Sequence, residues 1–225
     1  MTSDQVRQRI VEVGIVPVIR AASPREARLA VEAISAGGIP IAELTMTVPG
    51  AIDVISELAK DMGPALLLGA GTVLNAATAQ QCIDAGAQFI VSPSFNLATV
   101  KLAKAAGKLI MAGALTPTEI VAAWEAGSDF VKIFPCGPVG GAKYIRALKA
   151  PFPQIPMVPT GGVNLETAAD FIRAGAEALG VGGELVSAAA IKSGNLNEIT
   201  QSARRYIEII REARAALQSA ASRTS

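Results

Sequence analysis

Lys132 is the side chain whose place in the sequence most strongly indicates chemistry. It lies in residues 129–135, where its immediate neighbours are apolar residues typical of β-strands and a proline ends the segment. Lysine is almost never fully buried without a partner, and burial disfavours the charged form of an amine. A neutral amine in a dry pocket can attack a carbonyl carbon and form a Schiff base. The alternative is a lysine at a strand end whose ammonium group reaches solvent, and this segment alone leaves both open.

The absence of histidine removes several other kinds of chemistry. Neither a Ser-His-Asp triad nor a histidine general base can form, and zinc sites that depend on imidazole are excluded. Proton transfer must therefore fall to Glu, Asp, Lys, Tyr or Cys. The two cysteines, Cys82 and Cys136, are too few for a disulfide framework or a metal cluster, and we interpret both as structural.

The composition narrows the partners that the chain can have. Charged residues make up 17% of the chain and apolar residues 51%, with a formal net charge of +1. This balance excludes a disordered chain and provides no basic surface for nucleic acid. No apolar run approaches the roughly 18 residues that span a bilayer, and the first residues lack the apolar core of a signal peptide. We therefore expect a cytoplasmic protein without a membrane or nucleic-acid partner.

A repeated pattern of Ala-Gly pairs indicates the elements that position Lys132. Glycine just past a helix end takes up the left-handed conformation that other residues resist. Each pair is therefore predicted to end a helix that leads into an apolar strand. The five pairs are Ala36-Gly37, Ala85-Gly86, Ala106-Gly107, Ala126-Gly127 and Ala174-Gly175. Residues that cap helix N-termini mark helix starts at Ser23, Asn75, Thr116 and Asn164.

The order of elements predicts a (β/α)₈ TIM barrel with an N-terminal helix preceding strand 1. Near-continuously apolar strands that alternate with helices form parallel sheets. The predicted strands are residues 15–20, 39–45, 66–70, 89–92, 109–112, 130–134, 157–159 and 179–181. Their number and even spacing favour a closed barrel over an open sheet. Residues 1–225 fit one such domain, since barrels of roughly 200 to 250 residues are common as single units.

Barrel geometry brings a second charged residue to Lys132. Side chains two residues apart share a face of a strand, so Phe130, Lys132 and Phe134 are predicted to point into the barrel. Glu43 is the acid inside the predicted strands, and strands 2 and 6 stand opposite each other. The interior of an eight-stranded barrel is just wide enough for side chains to meet across it. We expect Lys132 and Glu43 to form a catalytic pair, the alternative being a buried ion pair without chemistry.

Further polar groups are expected at the mouth of the barrel, where the strands end. Arg20 ends strand 1, and its planar guanidinium can bind a carboxylate or a phosphate, the alternative being an outward, solvated arginine. Thr72 follows strand 3 and offers a hydroxyl. Glycine-rich turns end strands 7 and 8, at residues 160–162 and at residues 180–183, which include Gly182 and Gly183. Loops at these two positions form the recurring phosphate site of such barrels.

Four ordered motifs resemble the 2-dehydro-3-deoxyphosphogluconate aldolases, which also act as 4-hydroxy-2-oxoglutarate aldolases. The motifs are IAELTMT at 41–47, GAGTVLN at 69–75, VKIFP at 131–135 and VPTGG at 158–162. The resemblance implies class I aldolase chemistry with no metal and no cofactor. Its substrate would be a small 2-keto-3-deoxy sugar acid phosphate, cleaved into pyruvate and glyceraldehyde 3-phosphate. Lys132 matches the Schiff-base lysine, and Glu43 matches the general acid/base.

The same resemblance implies roles for the binding residues. Thr72 and Arg20 match groups that hold the pyruvyl end of the substrate, and Thr160 matches a threonine linked to stereochemical preference at the new carbinol. Gly161 and Gly162 match the phosphate-binding turn. Homotrimers are usual among these aldolases, so a homotrimer is expected.

Three positions depart from the family pattern. Thr47 stands where some members have an arginine that helps to hold the carboxylate, which leaves that task to Arg20. Glu184 follows Gly183 where a small residue is frequent beside the phosphate, and we expect it in the first turn of a short helix, pointing outward. Ala112 stands where a proline is common, a change that concerns backbone shape.

Other activities remain as alternatives. A 2-dehydro-3-deoxy-6-phosphogalactonate aldolase would use the same residues on another epimer. A phosphosugar epimerase or decarboxylase could share the glycine turns, but usually needs more than one carboxylate inside the strands. A catalytically silent assembly module would need none of them, so the joint presence of Lys132, Glu43 and Thr160 disfavours the last two.

Overall fold

The chain forms an eight-stranded parallel barrel with helices around it, and the computed structural model describes residues 1–222. The strands are β1 (Ile15–Ile19), β2 (Ile41–Thr45), β3 (Leu67–Gly71), β4 (Phe89–Val91), β5 (Leu109–Ala114), β6 (Phe130–Ile133), β7 (Met157–Pro159) and β8 (Leu179–Val181). Neighbours in the sheet follow the chain order from β1 to β7, and β8 pairs with β1. A parallel bridge between Thr160 and Gly180 joins the two remaining edges. The predicted barrel is confirmed.

Ten α-helices and two short 3₁₀ helices connect and cover the strands in the described part of the chain. The α-helices are α1 (Ser3–Val13), α2 (Pro24–Ala36), α3 (Ala51–Met62), α4 (Ala76–Asp84), α5 (Leu97–Ala105), α6 (Pro117–Glu125), α7 (Ala142–Lys149), α8 (Ala168–Arg173), α9 (Ala188–Ser193) and α10 (Leu196–Ala221). The 3₁₀ helices are Gly63–Ala65 and Gly137–Val139. Helix α1 precedes β1, as predicted. None of the helices within residues 1–222 is long and apolar enough to cross a membrane.

Local capping explains where most helices begin. The side chains of Ser23, Asn75 and Thr116 accept the backbone N–H of the residue three positions later, which satisfies a donor at each helix start as predicted. The start predicted at Asn164 is wrong, because α8 begins at Ala168. The Asn164 side chain instead accepts backbone N–H bonds within the turn that precedes the helix.

The helix ends follow the predicted glycine rule with one exception. Gly86, Gly107, Gly127 and Gly175 all have positive φ values just past a helix. Gly37 is instead right-handed, with φ of −79°, and the left-handed residue is Gly38, with φ of 94°. The chain therefore leaves α2 one residue later than predicted.

Strand ends set which side chains reach the mouth of the barrel. β1 ends at Ile19 rather than Arg20, and β6 ends at Ile133 rather than Phe134. Arg20 and Phe134 therefore lie just beyond their strands. All residues of the eight strands are buried, so each strand is enclosed between the barrel interior and the surrounding helices.

Candidate active site

Lys132 and Glu43 meet inside the barrel. Lys132 on β6 is 3% exposed and Glu43 on β2 is 2% exposed. The Lys132 Nζ lies 3.7 Å from the Glu43 Oε1. The Lys132 ammonium also lies 5.4 Å from the centroid of the Phe134 ring, within range of a cation–π contact. The structure thus brings together the two charges that strand parity predicted, and their catalytic roles stay a prediction.

The Glu43 carboxylate has little to hold it besides this charge. Its Oε1 atom is buried and has no hydrogen-bond partner among residues 1–222. The adjacent strand β3 makes room for it, because a Cβ added at Gly71 would lie 2.0 Å from Oε1. A buried carboxylate oxygen without a hydrogen bond is costly, so such an atom calls for a functional explanation. The pair therefore resembles a reactive site more than a well-satisfied structural ion pair.

A small cavity of about 120 Å³ opens at the mouth of the barrel. It is bounded by a guanidinium, a ring, a threonine, both glycine turns and an acid. The lining residues are Val18, Arg20, Phe134, Thr160, Gly161, Gly162, Val163, Gly180, Gly182, Gly183 and Glu184. Because Phe134 lines this cavity and also contacts the Lys132 ammonium, it connects the cavity with the buried pair.

The glycine turns present unused backbone donors. Gly161 and Gly162 have φ values of 84° and 82°, which favour glycine at both positions. Within residues 1–222, the N–H groups of Gly162 and Gly183 donate no hydrogen bond. Unpaired amides beside an exposed guanidinium make a suitable place for an anion. The structure thus places both glycine turns and Arg20 around one cavity, and phosphate binding there stays a prediction.

The expected place of Glu184 is wrong. Helix α9 begins at Ala188, with Ser187 as its cap, so Glu184 lies in the turn that precedes the helix. Its exposed side chain lines the same cavity as the glycine turns. It also lies near Tyr206 of α10, where burial raises the pKa of the tyrosine hydroxyl and the Glu184 charge raises it further. The carboxylate thus stands between the cavity and α10.

Thr72 lies at the end of β3 in a strained conformation. It is half-buried, and its φ of 59° falls in the left-handed region, which is unusual for a β-branched residue. Strain of this kind is often kept at functional positions. Thr72 is not among the residues that line the cavity of the glycine turns.

Thr47, which stands where some members of the family have an arginine, is hydrogen-bonded to Thr45. The Thr45 Oγ1 donates to the carbonyl of Ile19, at 2.9 Å. Since Thr45 has only one hydroxyl proton, Thr47 must donate to the Thr45 Oγ1, at 2.7 Å. This chain of bonds ties the end of β2 to the residue before Arg20. The Thr47 hydroxyl proton is therefore already used.

Sequence reasoning missed three residues of the site. Phe134 shares the face of Lys132, so its contact with the ammonium was accessible from strand parity. Gly71 lies in the GAGTVLN motif and Gly180 in the glycine-rich turn of strand 8, but a glycine does not reveal which side chain fills the space that it leaves. In the structure, a Cβ at Gly180 would lie 2.1 Å from the Thr160 Oγ1.

Comparisons with known proteins match this chain over most of its length. A family model described as "Aldolase: KDPG and KHG aldolase" matches residues 6–202. The chain is 35% identical over 199 residues to the 2-dehydro-3-deoxy-phosphogluconate aldolase of Treponema pallidum, covering 88% of this chain and 94% of that protein. It is 34% identical over 195 residues to the KHG/KDPG aldolase of Escherichia coli K12, covering 86% of this chain and 91% of that protein.

A solved structure agrees with these relatives. KDPG aldolase from Legionella pneumophila, with pyruvate captured at low pH as a covalent carbinolamine intermediate, superposes with a TM-score of 0.82 and 28% identity. The match covers 89% of this chain and 97% of that chain.

Proposed function

Since the chain belongs to the KDPG and KHG aldolase family, we propose that it cleaves 2-dehydro-3-deoxy-6-phosphogluconate into pyruvate and glyceraldehyde 3-phosphate through a Schiff base on Lys132. The observation that carries the proposal is a buried amine 3.7 Å from a buried carboxylate. The relative from Legionella pneumophila, which captures pyruvate covalently, supports it. Cleavage of 4-hydroxy-2-oxoglutarate into pyruvate and glyoxylate is proposed as a second activity of the same site, supported by the relative from Escherichia coli.

The chemistry begins when the Lys132 ammonium gives a proton to Glu43 and the free amine attacks the C2 ketone. The hydroxyl of the resulting carbinolamine takes the proton back from Glu43 and leaves as water, which forms the iminium. Glu43 then takes the proton of the C4 hydroxyl, directly or through a water. The C3–C4 bond breaks, its electron pair moves into the iminium, and an aldehyde leaves. Protonation of the enamine at C3 and hydrolysis release pyruvate and restore the free amine. No metal takes part in these steps.

The two ends of the substrate are bound by different groups in this proposal. Thr72 and Arg20 hold the carboxylate of the pyruvyl end. The unpaired N–H groups of Gly162 and Gly183 donate to the phosphate, with Gly161 and Gly182 in the same two turns. Arg20 lines the cavity of the glycine turns, so its guanidinium also stands within the phosphate region. Replacing Arg20 by methionine separates the two tasks. If Arg20 binds the carboxylate, its replacement raises KM for the substrates with and without the phosphate. If Arg20 binds the phosphate, its replacement raises KM for the phosphorylated substrate alone.

Incubation with pyruvate and borohydride, followed by peptide mapping, tests the Schiff base. We expect a reduced pyruvyl adduct on Lys132, and loss of both the adduct and cleavage in Lys132→Ala. Lys149→Ala is the control: burial lowers the pKa of Lys149, but its amine donates to the Pro153 and Ile155 carbonyls, at 2.9 Å each. Trapping on another lysine, or cleavage by Lys132→Ala, would contradict the proposal.

Replacing Glu43 separates proton transfer from binding. Glu43→Gln keeps the shape of the side chain and removes the base, so cleavage should fall by roughly 10² to 10⁴, the usual contribution of a positioned acid or base. Borohydride trapping of pyruvate should survive, at least slowly. Full turnover in this variant would make Glu43 a structural partner of Lys132 and nothing more.

The phosphorylated substrate should be preferred, mainly through a lower KM. Two unpaired amides and a guanidinium favour a dianion, while Glu184 opposes it from an exposed position where salt and water screen its charge. Comparing kcat/KM for 2-keto-3-deoxy-6-phosphogluconate and 2-keto-3-deoxygluconate measures the balance. Equal values would mean that the natural substrate carries no phosphate. The matching galactonate substrates show in the same assay which epimer Thr160 favours.

The remaining expectations rest on the family resemblance. We propose a homotrimer, a cytoplasmic location and a place in sugar-acid breakdown by the Entner–Doudoroff route. Light scattering of the purified protein measures the oligomeric state, and a mass of about one or two chains would contradict the trimer.

A further inference from the structure

Gly71 lies where its missing side chain leaves space for the Glu43 carboxylate. Gly71 ends β3 and pairs with Thr45 of β2, one inward position beyond Glu43. A Cβ at this position would lie 2.0 Å from the Glu43 Oε1 and 2.6 Å from both its Cδ and Cγ. Ordinary contacts between such atoms are about 3.5 to 4 Å. Since the three nearest atoms all belong to Glu43, a side chain here would displace that residue first.

Within residues 1–222, the backbone of Gly71 gives no separate reason for glycine at this position. Its φ lies outside the left-handed region, so its backbone suits any residue. Its carbonyl accepts the N–H of Met46, at 2.8 Å, a bond that any residue in a strand could make. The absence of a side chain is therefore explained by the carboxylate that occupies its place.

The Glu43 carboxylate depends on this space because no hydrogen bond fixes its Oε1 within residues 1–222. Its position is set by the attraction of the Lys132 ammonium, at 3.7 Å, and by the shape of the wall that it packs against. We propose that Gly71 is a positioning residue that holds Glu43 at the distance from Lys132 that proton transfer needs. This inference deepens the proposed function and rests on Glu43 acting as the acid/base.

The direct test is Gly71→Ala, measured by cleavage and by trapping. The added methyl group must push the carboxylate away by more than 1 Å, and a displacement of about 1 Å can cost roughly 10²-fold in rate. We expect kcat to fall by about that factor, while KM and the borohydride adduct on Lys132 are retained. A rise in KM with kcat unchanged would overturn the proposal, because it would show that the variant weakens binding and leaves proton transfer intact.

A double-mutant cycle separates positioning from general damage. In the Glu43→Gln background the base is already gone, so adding Gly71→Ala should change the residual kcat by less than about threefold. A loss of about 10² in both backgrounds would show that Gly71 acts on something other than Glu43. The dependence of kcat on pH gives a second readout. Glu43→Gln should remove the limb of that profile that depends on the base, and Gly71→Ala should change the shape of the same limb.

Stability provides a test that does not depend on catalysis. Gly71→Ala should lower the urea midpoint of the otherwise unchanged chain, but not in the Glu43→Ala background, where the colliding atoms are absent. Gly69→Ala is the matched control on the same strand, since its Cβ would meet the Phe89 ring instead, at 2.2 Å. The fall in the urea midpoint caused by Gly69→Ala should persist in the Glu43→Ala background.

The two hypotheses fail in different ways. Absence of a pyruvyl adduct on Lys132 in the unchanged protein would reject the proposed function. The urea unfolding of Gly71→Ala with and without Glu43→Ala would still show whether the two residues are coupled. An adduct with equal losses in both cycle backgrounds would reject the role of Gly71 alone.

Discussion

Removing the Lys132 charge should destabilise the protein more than removing the whole pair. Two unit charges about 4 Å apart attract by about 4 kcal/mol at an effective dielectric constant of 20. Lys132 and Glu43 lie 3.7 Å apart, with 4% and 3% of their side chains exposed. Desolvation of two such ions costs a comparable amount, so the pair as a whole contributes little. Lys132→Met removes the attraction and leaves the desolvation of Glu43, a change that typically costs about 3 to 5 kcal/mol.

Protonation limits this penalty and makes it depend on pH. A buried carboxyl without its cation can take up a proton, and keeping an ordinary glutamate protonated at pH 7.5 costs about 4 kcal/mol. This upper limit on the destabilisation falls by about 1.4 kcal/mol for each pH unit below pH 7.5. In Lys132→Met the folded state then binds more protons than the unfolded state, so stability decreases as pH rises. Near pH 5.5 the penalty should be less than half of its value at pH 7.5.

Urea unfolding at both pH values provides the assay. The reference is the double variant Lys132→Met, Glu43→Met, which replaces the pair by unbranched apolar side chains of similar size. We expect the double variant to be within about 1 kcal/mol of the unchanged protein or more stable, and Lys132→Met to be about 3 to 4 kcal/mol less stable than the double variant at pH 7.5. A gap below about 1 kcal/mol, or one that does not shrink on acidification, would refute the account of a buried, uncompensated carboxylate.

Four further outcomes follow from particular contacts. Thr116→Ala should lower the stability by about 1 kcal/mol in denaturant unfolding, since it removes an N-cap bond of α6. The backbone N–H groups of Thr116 and Leu115 hold the pKa of Glu119 below its ordinary value, so the stabilisation from Glu119 should be present at neutral pH and disappear as pH falls through that lowered pKa; Glu119→Gln should abolish this acid dependence. Burial raises the pKa of Cys82 and of Cys136 to about 11, so iodoacetamide at pH 8 should alkylate both thiols slowly until the protein is unfolded, and rapid reaction in the native state would contradict their burial. Glu184→Ser should raise kcat/KM for the phosphorylated substrate by about 3- to 30-fold and leave kcat/KM for the unphosphorylated substrate unchanged. The reason is that each pair of unit charges about 4 Å apart interacts by about 1 kcal/mol in water. If the ratio of the two kcat/KM values did not change, the carboxylate would lie outside the pocket.

Much of the fold could be predicted because its signals are local. A cap such as Ser23 or Thr116 acts on an N–H three residues away, and the two-residue period of a strand fixes which side chains share a face. Combined with the closed barrel, that period was enough to bring Lys132 to Glu43, although the two are distant in sequence. The error at Asn164 has the same local origin, since an asparagine caps a turn as well as it caps a helix.

The parts that the sequence did not predict depend on where backbone turns place atoms. The turn after β8 continues to Ser187 before α9 begins, because the Leu185 and Val186 N–H groups both donate to the Gly182 carbonyl. This turn puts Glu184 beside the cavity instead of on a helix, and no local propensity distinguishes the two.

Gly71 shows the same limit from inside the barrel. A glycine in a strand usually indicates a bulge or a close approach, and the sequence cannot say what approaches. Only the register of β2 against β3, with Thr45 opposite Gly71, shows that the Glu43 side chain extends along its strand into the empty position. The reactive residues can therefore be predicted from their chemical type and strand parity, whereas the residues that position them emerge only when the strands are aligned. For this site, the general base and the wall that positions it lie on neighbouring strands, so a change in β3 should alter proton transfer without touching substrate.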